Sequence, residues 1–103
     1  MSDKKGQQAD YVWVIVESAG DDENFVGLSD SQSGETFVPV TSEREQGLML
    51  LGRLPAGPQG AKREVEAIHK KRILELAGGE GFSVYLVDQD GKFLGRLDQA
   101  AAH

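Results

Sequence analysis

The stretch that decides the fold runs from Tyr11 to Val16 and reads Tyr-Val-Trp-Val-Ile-Val. β-Branched and aromatic residues fill it, and such residues favour a strand. Its nearly continuous apolar character is typical of a central strand that is covered on both faces. The rest of the chain is expected to be arranged around this strand.

Four further segments have strand character, namely residues 25–28, 36–40, 82–87 and 92–97. A polar connection separates the first two, and Gly34 within it can supply the positive φ that a tight turn needs. The turn Asp-Gln-Asp-Gly at 88–91 separates the last two. Because Pro39 has no amide donor, we expect its strand to lie at an edge of the sheet or to end there.

Two helices are expected between these strands. Ser42 and Glu45 fit a capping box at the start of the first helix, which continues through a leucine-rich run to Leu54. The second helix is expected over residues 61–77, because apolar side chains cluster on one side at about 100° per residue. Those side chains are Ala61, Val65, Ile68, Ile73 and Leu76.

The predicted order is β-β-β-α-α-β-β, in one domain over residues 10–98. Strands on both sides of a helix pair favour the α+β class. We expect a single, mostly antiparallel sheet of about five strands with both helices packed on one face. Residues 1–9 are polar and are expected to form a flexible tail, and residues 99–103 a frayed C-terminus.

Composition excludes several classes of protein. The chain has 103 residues, a net charge of −6 and no cysteine. Disulfides, thiolate catalysis and thiolate metal sites are therefore ruled out. The negative charge disfavours nucleic acid as a partner. The sequence has no apolar run long enough to cross a membrane and no signal peptide, so we expect a cytoplasmic protein without a membrane partner.

The stretch from Gly34 to Glu45 reads Gly-Glu-Thr-Phe-Val-Pro-Val-Thr-Ser-Glu-Arg-Glu. It resembles the strand-to-helix junction of SseB-type (enhanced serine sensitivity) proteins, where an apolar Pro-Val strand runs into a Thr-Ser-x-Glu helix cap. The matching residues are Pro39, Val40, Thr41, Ser42 and Glu43. The aromatic residue that usually separates the valine from the threonine is missing. The resemblance implies a small α+β domain without assigned chemistry and without a catalytic residue.

The sequence contains no motif that predicts catalysis. No serine lies in a Gly-x-Ser-x-Gly turn, and His69 is the only plausible base. One histidine without cysteine does not make a zinc site, and no cofactor is expected.

The first hypothesis is therefore a non-catalytic protein-interaction or regulatory module, whose partner is another protein or a second copy. Its candidate contact residues are Tyr11, Trp13, Leu48, Met49 and Leu51. A fully buried Trp13 would count against it.

The alternative hypothesis is binding of a small anion or nucleic acid through the basic helix 61–77. Its candidate residues are Lys62, Arg63, His69, Lys70 and Arg72. Glutamates at helical spacing also allow these bases to form ordinary ion pairs. His69 and Arg72 fall near the apolar side of this helix, so they form either a small anion site or a rim whose polar tips reach water.

Overall fold

In the computed structural model, which describes residues 10–55, 57 and 59–97, the chain forms a mixed seven-stranded open sheet with two α-helices. The strands are β1 (Tyr11–Ala19), β2 (Asp22–Phe25), β3 (Leu28–Ser29), β4 (Thr36–Thr41), β5 (Lys62–His69), β6 (Ser83–Val87) and β7 (Phe93–Leu97). The helices are α1 (Arg44–Arg53) and α2 (Lys70–Gly79). The α+β class is confirmed. The expected tail 1–9 and residues 99–103 lie outside the described residues.

Strand β1 is central, as its apolar sequence predicts. All of its residues except Ala19 pair antiparallel with β5. Its other edge is shared: Trp13 and Val14 pair with β4, and the second half of the strand pairs with β2. Both edges of β1 are therefore paired with other strands.

Strand β4 is also central, so the edge position predicted from Pro39 is wrong. One edge of β4 pairs in parallel with β6 from Phe37 to Val40. The other edge pairs first with β3, up to Phe37, and then with β1, from Val40 onward. Pro39 falls between these two pairings. A residue without an amide hydrogen is tolerated there because no strand on that edge needs its donor.

The predicted helix 61–77 is wrong over its first half. Residues Lys62–His69 form strand β5, and only Lys70–Gly79 is helical. The apolar residues Val65 and Ile68 are three positions apart, which fits a helix face. In the structure they point to opposite faces of a strand instead. The eight-residue pairing with β1 explains the outcome, because the backbone groups on the edge of a buried strand need hydrogen-bond partners.

The two helices cover opposite faces of the sheet, so the prediction of both on one face is wrong. Successive strand residues point to opposite faces. The even positions of β1, such as Val14, form one core cluster with Ile73 and Ala77 of α2. The odd position Ile15 belongs to a second cluster with Leu50 of α1. We call these sides the α2 face and the α1 face.

The capping box predicted for α1 is absent. The helix begins at Arg44, its N-cap is Glu43, and no side chain caps it. Ser42 instead donates its hydroxyl hydrogen to Oε1 of Gln46 (3.1 Å). Gly34 has the positive φ expected for its turn, 77°. Over the described residues, neither helix has the length and hydropathy needed to span a membrane.

Candidate functional site

The candidate anion-binding residues do not form one surface. Lys62 and Arg63 begin β5, whereas Lys70 and Arg72 belong to the first turn of α2, at the other end of that strand. Eight residues of extended chain separate Lys62 from Lys70, a distance of about 26 Å. The basic residues are therefore divided into two groups.

Arg63 holds a loop in place. Its Nε–H donates to Oε1 of Glu17 on β1 (2.8 Å), and its Nη1 donates to the carbonyl of Pro55 (2.8 Å). A Cβ added to Gly57 would lie 2.6 Å from the same Glu17 oxygen. The Arg63–Glu17 pair thus packs directly against the backbone of the connection between α1 and β5, and this arginine has its partners within the chain.

His69 is the N-cap of α2. The Lys71 backbone N–H donates to Nδ1 of His69 (3.2 Å). The imidazole also packs edge-on against the Tyr11 ring, with 5.2 Å between the ring centroids. Through these contacts His69 caps the start of α2 and packs against β1. Neither contact brings a nucleophile to the imidazole.

Lys70 and Arg72 lie at the start of α2. The Lys70 N–H donates to the carbonyl of Asp10 (2.9 Å). The Arg72 guanidinium is exposed and lies 3.9 Å from the Glu75 carboxylate. An exposed pair of this kind adds little stability. Arg72 thus lies on the surface. On the predicted helix 61–77 it would have lain near the apolar side.

Tyr11, Trp13 and Ala67 form an open corner of the α1 face, which we call the aromatic corner. Trp13 pairs directly with Ala67 across the β1–β5 ladder, so the two side chains share a face. Tyr11 is 46% exposed, Ala67 is exposed, and Trp13 is half-buried. Trp13 is not fully buried. Full burial of this side chain would have counted against an interaction surface.

The three interaction candidates of α1 have different surroundings. Leu48 and Met49 are exposed on the outer side of the helix. Leu51 is half-buried and packs against the core cluster of Ile15 and Leu50. Leu51 therefore helps to hold α1 on the sheet, and only Leu48 and Met49 remain available to a partner.

A groove on the α2 face is a feature that the sequence did not predict. It has a volume of about 430 Å³ and lies between the C-terminal half of α2 and strands β1, β2 and β5. Its apolar lining consists of Val16, Phe25, Ile68, Leu76, Ala77 and Phe82. A ten-residue helix is about 15 Å long, too short to cover this end of the sheet.

Three glutamates stand at this groove, namely Glu23 of β2, Glu66 of β5 and Glu80, the C-cap residue of α2. All three are exposed. Within the described part of the chain none of them forms an ion pair, although Glu23 accepts a hydrogen bond from the Ser18 hydroxyl (3.5 Å). No group of three or more acidic, histidine or cysteine side chains among the described residues could hold a metal ion.

The acidic turn at residues 88–91 connects β6 and β7, and its Asp88 carboxylate stabilises the turn. Oδ1 of Asp88 accepts the backbone N–H groups of Lys92 and Asp90 (2.9 Å each). The bond from Lys92, and to a smaller extent that from Asp90, lowers the pKa of the Asp88 carboxyl below its ordinary value. This carboxylate therefore acts as a turn residue.

No family model, curated protein or solved structure matches this chain. The resemblance of residues 34–45 to SseB-type proteins thus stays a prediction.

Proposed function

We propose that this protein is a non-catalytic interaction module that binds another protein through the aromatic corner. The observation that carries the proposal is the position of Tyr11 and Trp13 on a corner of the α1 face that stays open. Large aromatic side chains that can be desolvated by a partner supply much of the energy of protein interfaces. Leu48 and Met49 add exposed apolar area on the same face of the sheet.

Self-association through pairing of β5 with a second copy has less support than binding of a different protein. Over the residues that the structure describes, β5 pairs with β1 alone, and the strand carries Lys62, Arg63, Glu64 and Glu66. Charged side chains on an edge strand oppose pairing with another strand. Two copies would also repel each other, because each has a net charge of −6.

Anion or nucleic-acid binding, the alternative, also has less support. It depends on one continuous basic helix, and residues 62–69 form a strand. Arg63 is bound to Glu17 and Pro55, and the length of β5, about 26 Å, separates the neighbouring Lys62 from Lys70 at the other end of the strand. The charge of the whole chain remains unfavourable for such a ligand.

A photoreactive amino acid placed at Ala67, in the cell that makes the protein, tests the proposal. We expect cross-links to a specific protein that are absent when the same amino acid replaces Gln32, which is exposed in the connection between β3 and β4. With that protein purified, Tyr11→Ser should weaken binding about tenfold or more, as expected for a central aromatic contact.

Leu94→Ser is the matched control. It removes an apolar side chain that is 56% exposed on β7, away from the aromatic corner. Its affinity for the partner should equal that of the original protein. Equal cross-linking from both positions, or equal affinity for Tyr11→Ser, would contradict the proposal.

A further inference from the structure

We propose that the groove on the α2 face binds a segment of another protein in which lysine or arginine side chains flank apolar ones. The groove is separate from the aromatic corner, which lies on the α1 face. Its apolar floor, the carboxylates at its rim and the orientation of α2 together support a cationic, partly apolar occupant.

The floor of the groove favours apolar side chains. Leu76 is 36% exposed and Phe82 38% exposed, and both line it together with the half-buried Phe25 and Ile68. A volume of about 430 Å³ lies within the range of natural ligand pockets, about 300–1,000 Å³. That volume accommodates a few side chains of a peptide.

The rim favours positive charge. Glu23, Glu66 and Glu80 come from three different elements, and no lysine or arginine lies among the described residues that line the groove. Because these carboxylates lack ion-pair partners within the described chain, a cation from outside can pair with them. Among the described residues they form no group that could hold a metal ion, so a segment with several basic side chains suits them better than one metal ion.

The orientation of α2 adds to this preference. Its C-terminal end, at Gly79 and Glu80, lies at the groove. The C-terminus of a helix carries a partial negative charge, which favours nearby cations. A basic side chain beside Glu80 would therefore interact with both the carboxylate and the helix end.

A second copy of this chain does not fit the groove as well. Its densest basic run, Lys70-Lys71-Arg72, is followed by Ile73, which is completely buried. Ile73 is therefore not available as the apolar side chain beside these charges. In residues 92–96 the exposed side chains of Phe93 and Leu94 do lie between Lys92 and Arg96, but this strand is already paired with β6, and two copies with a net charge of −6 each would repel one another. We therefore assign the groove to a segment of a different protein.

The probe for the test is the peptide Lys-Lys-Phe-Leu-Lys-Lys with blocked ends, titrated into labelled protein and followed by amide NMR. We expect saturable shifts confined to the groove, and an affinity that falls as salt is added. The peptide Lys-Lys-Ser-Ser-Lys-Lys should bind about tenfold more weakly, because it lacks the apolar side chains. Glu-Glu-Phe-Leu-Glu-Glu should not bind.

Two triple variants separate the groove from the net charge. Glu23→Gln/Glu66→Gln/Glu80→Gln should weaken binding of the lysine peptide about tenfold or more. Glu35→Gln/Glu43→Gln/Glu45→Gln changes the net charge equally at exposed positions outside the groove and should leave the affinity within about twofold. Phe82→Ser tests the floor and should weaken only the Phe-Leu peptide.

Three results would overturn the proposal: no saturable shifts, equal losses in both triple variants, or shifts outside the groove. Self-association in sedimentation that the groove triple variant abolishes would also overturn it, because the occupant would then be a second copy. Cross-linking from Ala67 is independent of all these results, so failure of the groove proposal leaves the proposed function standing.

Discussion

At the scale of single residues, His69 shows how the element that carries a side chain decides its role. On a continuous helix 61–77 it would lie near the apolar side as a candidate ligand or base. At the junction of β5 and α2 its Nδ1 instead accepts a backbone hydrogen bond that the first turn of the helix would otherwise lack. The same imidazole contacts Tyr11 of the aromatic corner.

We expect His69→Ala to lower the free energy of unfolding by about 1 kcal/mol, the usual loss for an N-cap side chain. His69→Asn should recover most of that loss, because asparagine is a strong N-cap residue. Urea denaturation followed by Trp13 fluorescence measures both. If asparagine were as destabilising as alanine, the contact with the Tyr11 ring would be the interaction that matters, and the capping role would be wrong.

At the scale of elements, strand β5 is the part of the fold that the local sequence pattern could not predict. Strand β1 and the predicted strands 36–40, 82–87 and 92–97 exist with small changes at their ends, because alternating or continuous apolar runs report burial directly. The predicted strand 25–28 is wrong, since β2 ends at Phe25 and β3 begins at Leu28. Residues 62–69 carry a pattern that suits a helix face and an edge strand equally. The pairing with β1 selects the strand, and that contact joins residues about 50 positions apart, beyond the reach of a local pattern.

The candidate surfaces were predictable to different extents. Tyr11 and Trp13 could be singled out because both are large aromatic residues on the strongest strand. The groove could not, because on the predicted helix 61–77 Glu66 lies four residues from both Lys62 and Lys70, a spacing that favours ordinary ion pairs. Once residues 62–69 are a strand, Glu66 points to the α2 face beside Ile68, and the carboxylate joins the groove.

Helix α1 contains two glycines that should respond oppositely to alanine. A Cβ at Gly47 would lie 2.9 Å from Val65 Cγ1 and 3.2 Å from Thr41 Oγ1, so either the helix or these side chains must move. Gly52 has nothing within 4 Å. Gly47→Ala should therefore destabilise the protein by about 1–3 kcal/mol. Gly52→Ala should stabilise it by up to about 1 kcal/mol, the difference in helix propensity.

Thermal or urea unfolding of both glycine variants is the measurement. Gly52→Ala is the control for helix propensity, since it adds the same methyl group to the same helix without a contact. Equal stabilisation by both substitutions would mean that α1 does not pack closely against β5 at Gly47.

At the scale of the whole molecule, one sheet separates the two proposed binding surfaces. Adjacent residues of β5 point to opposite faces, so Ala67 belongs to the aromatic corner and Glu66 to the groove. Occupying one surface leaves the other accessible. Strand β5 is also an edge strand, and it contributes directly to both surfaces.

The same arrangement predicts how the molecule unfolds. Ile73 of α2 is completely buried on one face, and Leu50 of α1 is 3% exposed on the other. Ile73→Ala and Leu50→Ala should each lower the free energy of unfolding by about 2–5 kcal/mol, since each leaves a cavity in one core cluster. Because β1 contributes side chains to both clusters, loss of either should weaken the whole sheet.

Trp13 fluorescence, which reports on the α1 face, and far-UV circular dichroism, which reports on all elements, should therefore give the same urea midpoint in each variant. A surface substitution, Leu94→Ser, should leave that midpoint nearly unchanged, because Leu94 is exposed. If Ile73→Ala shifted the dichroism midpoint and left the Trp13 transition in place, the two core clusters would unfold independently. The sheet would then fail to couple the aromatic corner to the face that carries the groove.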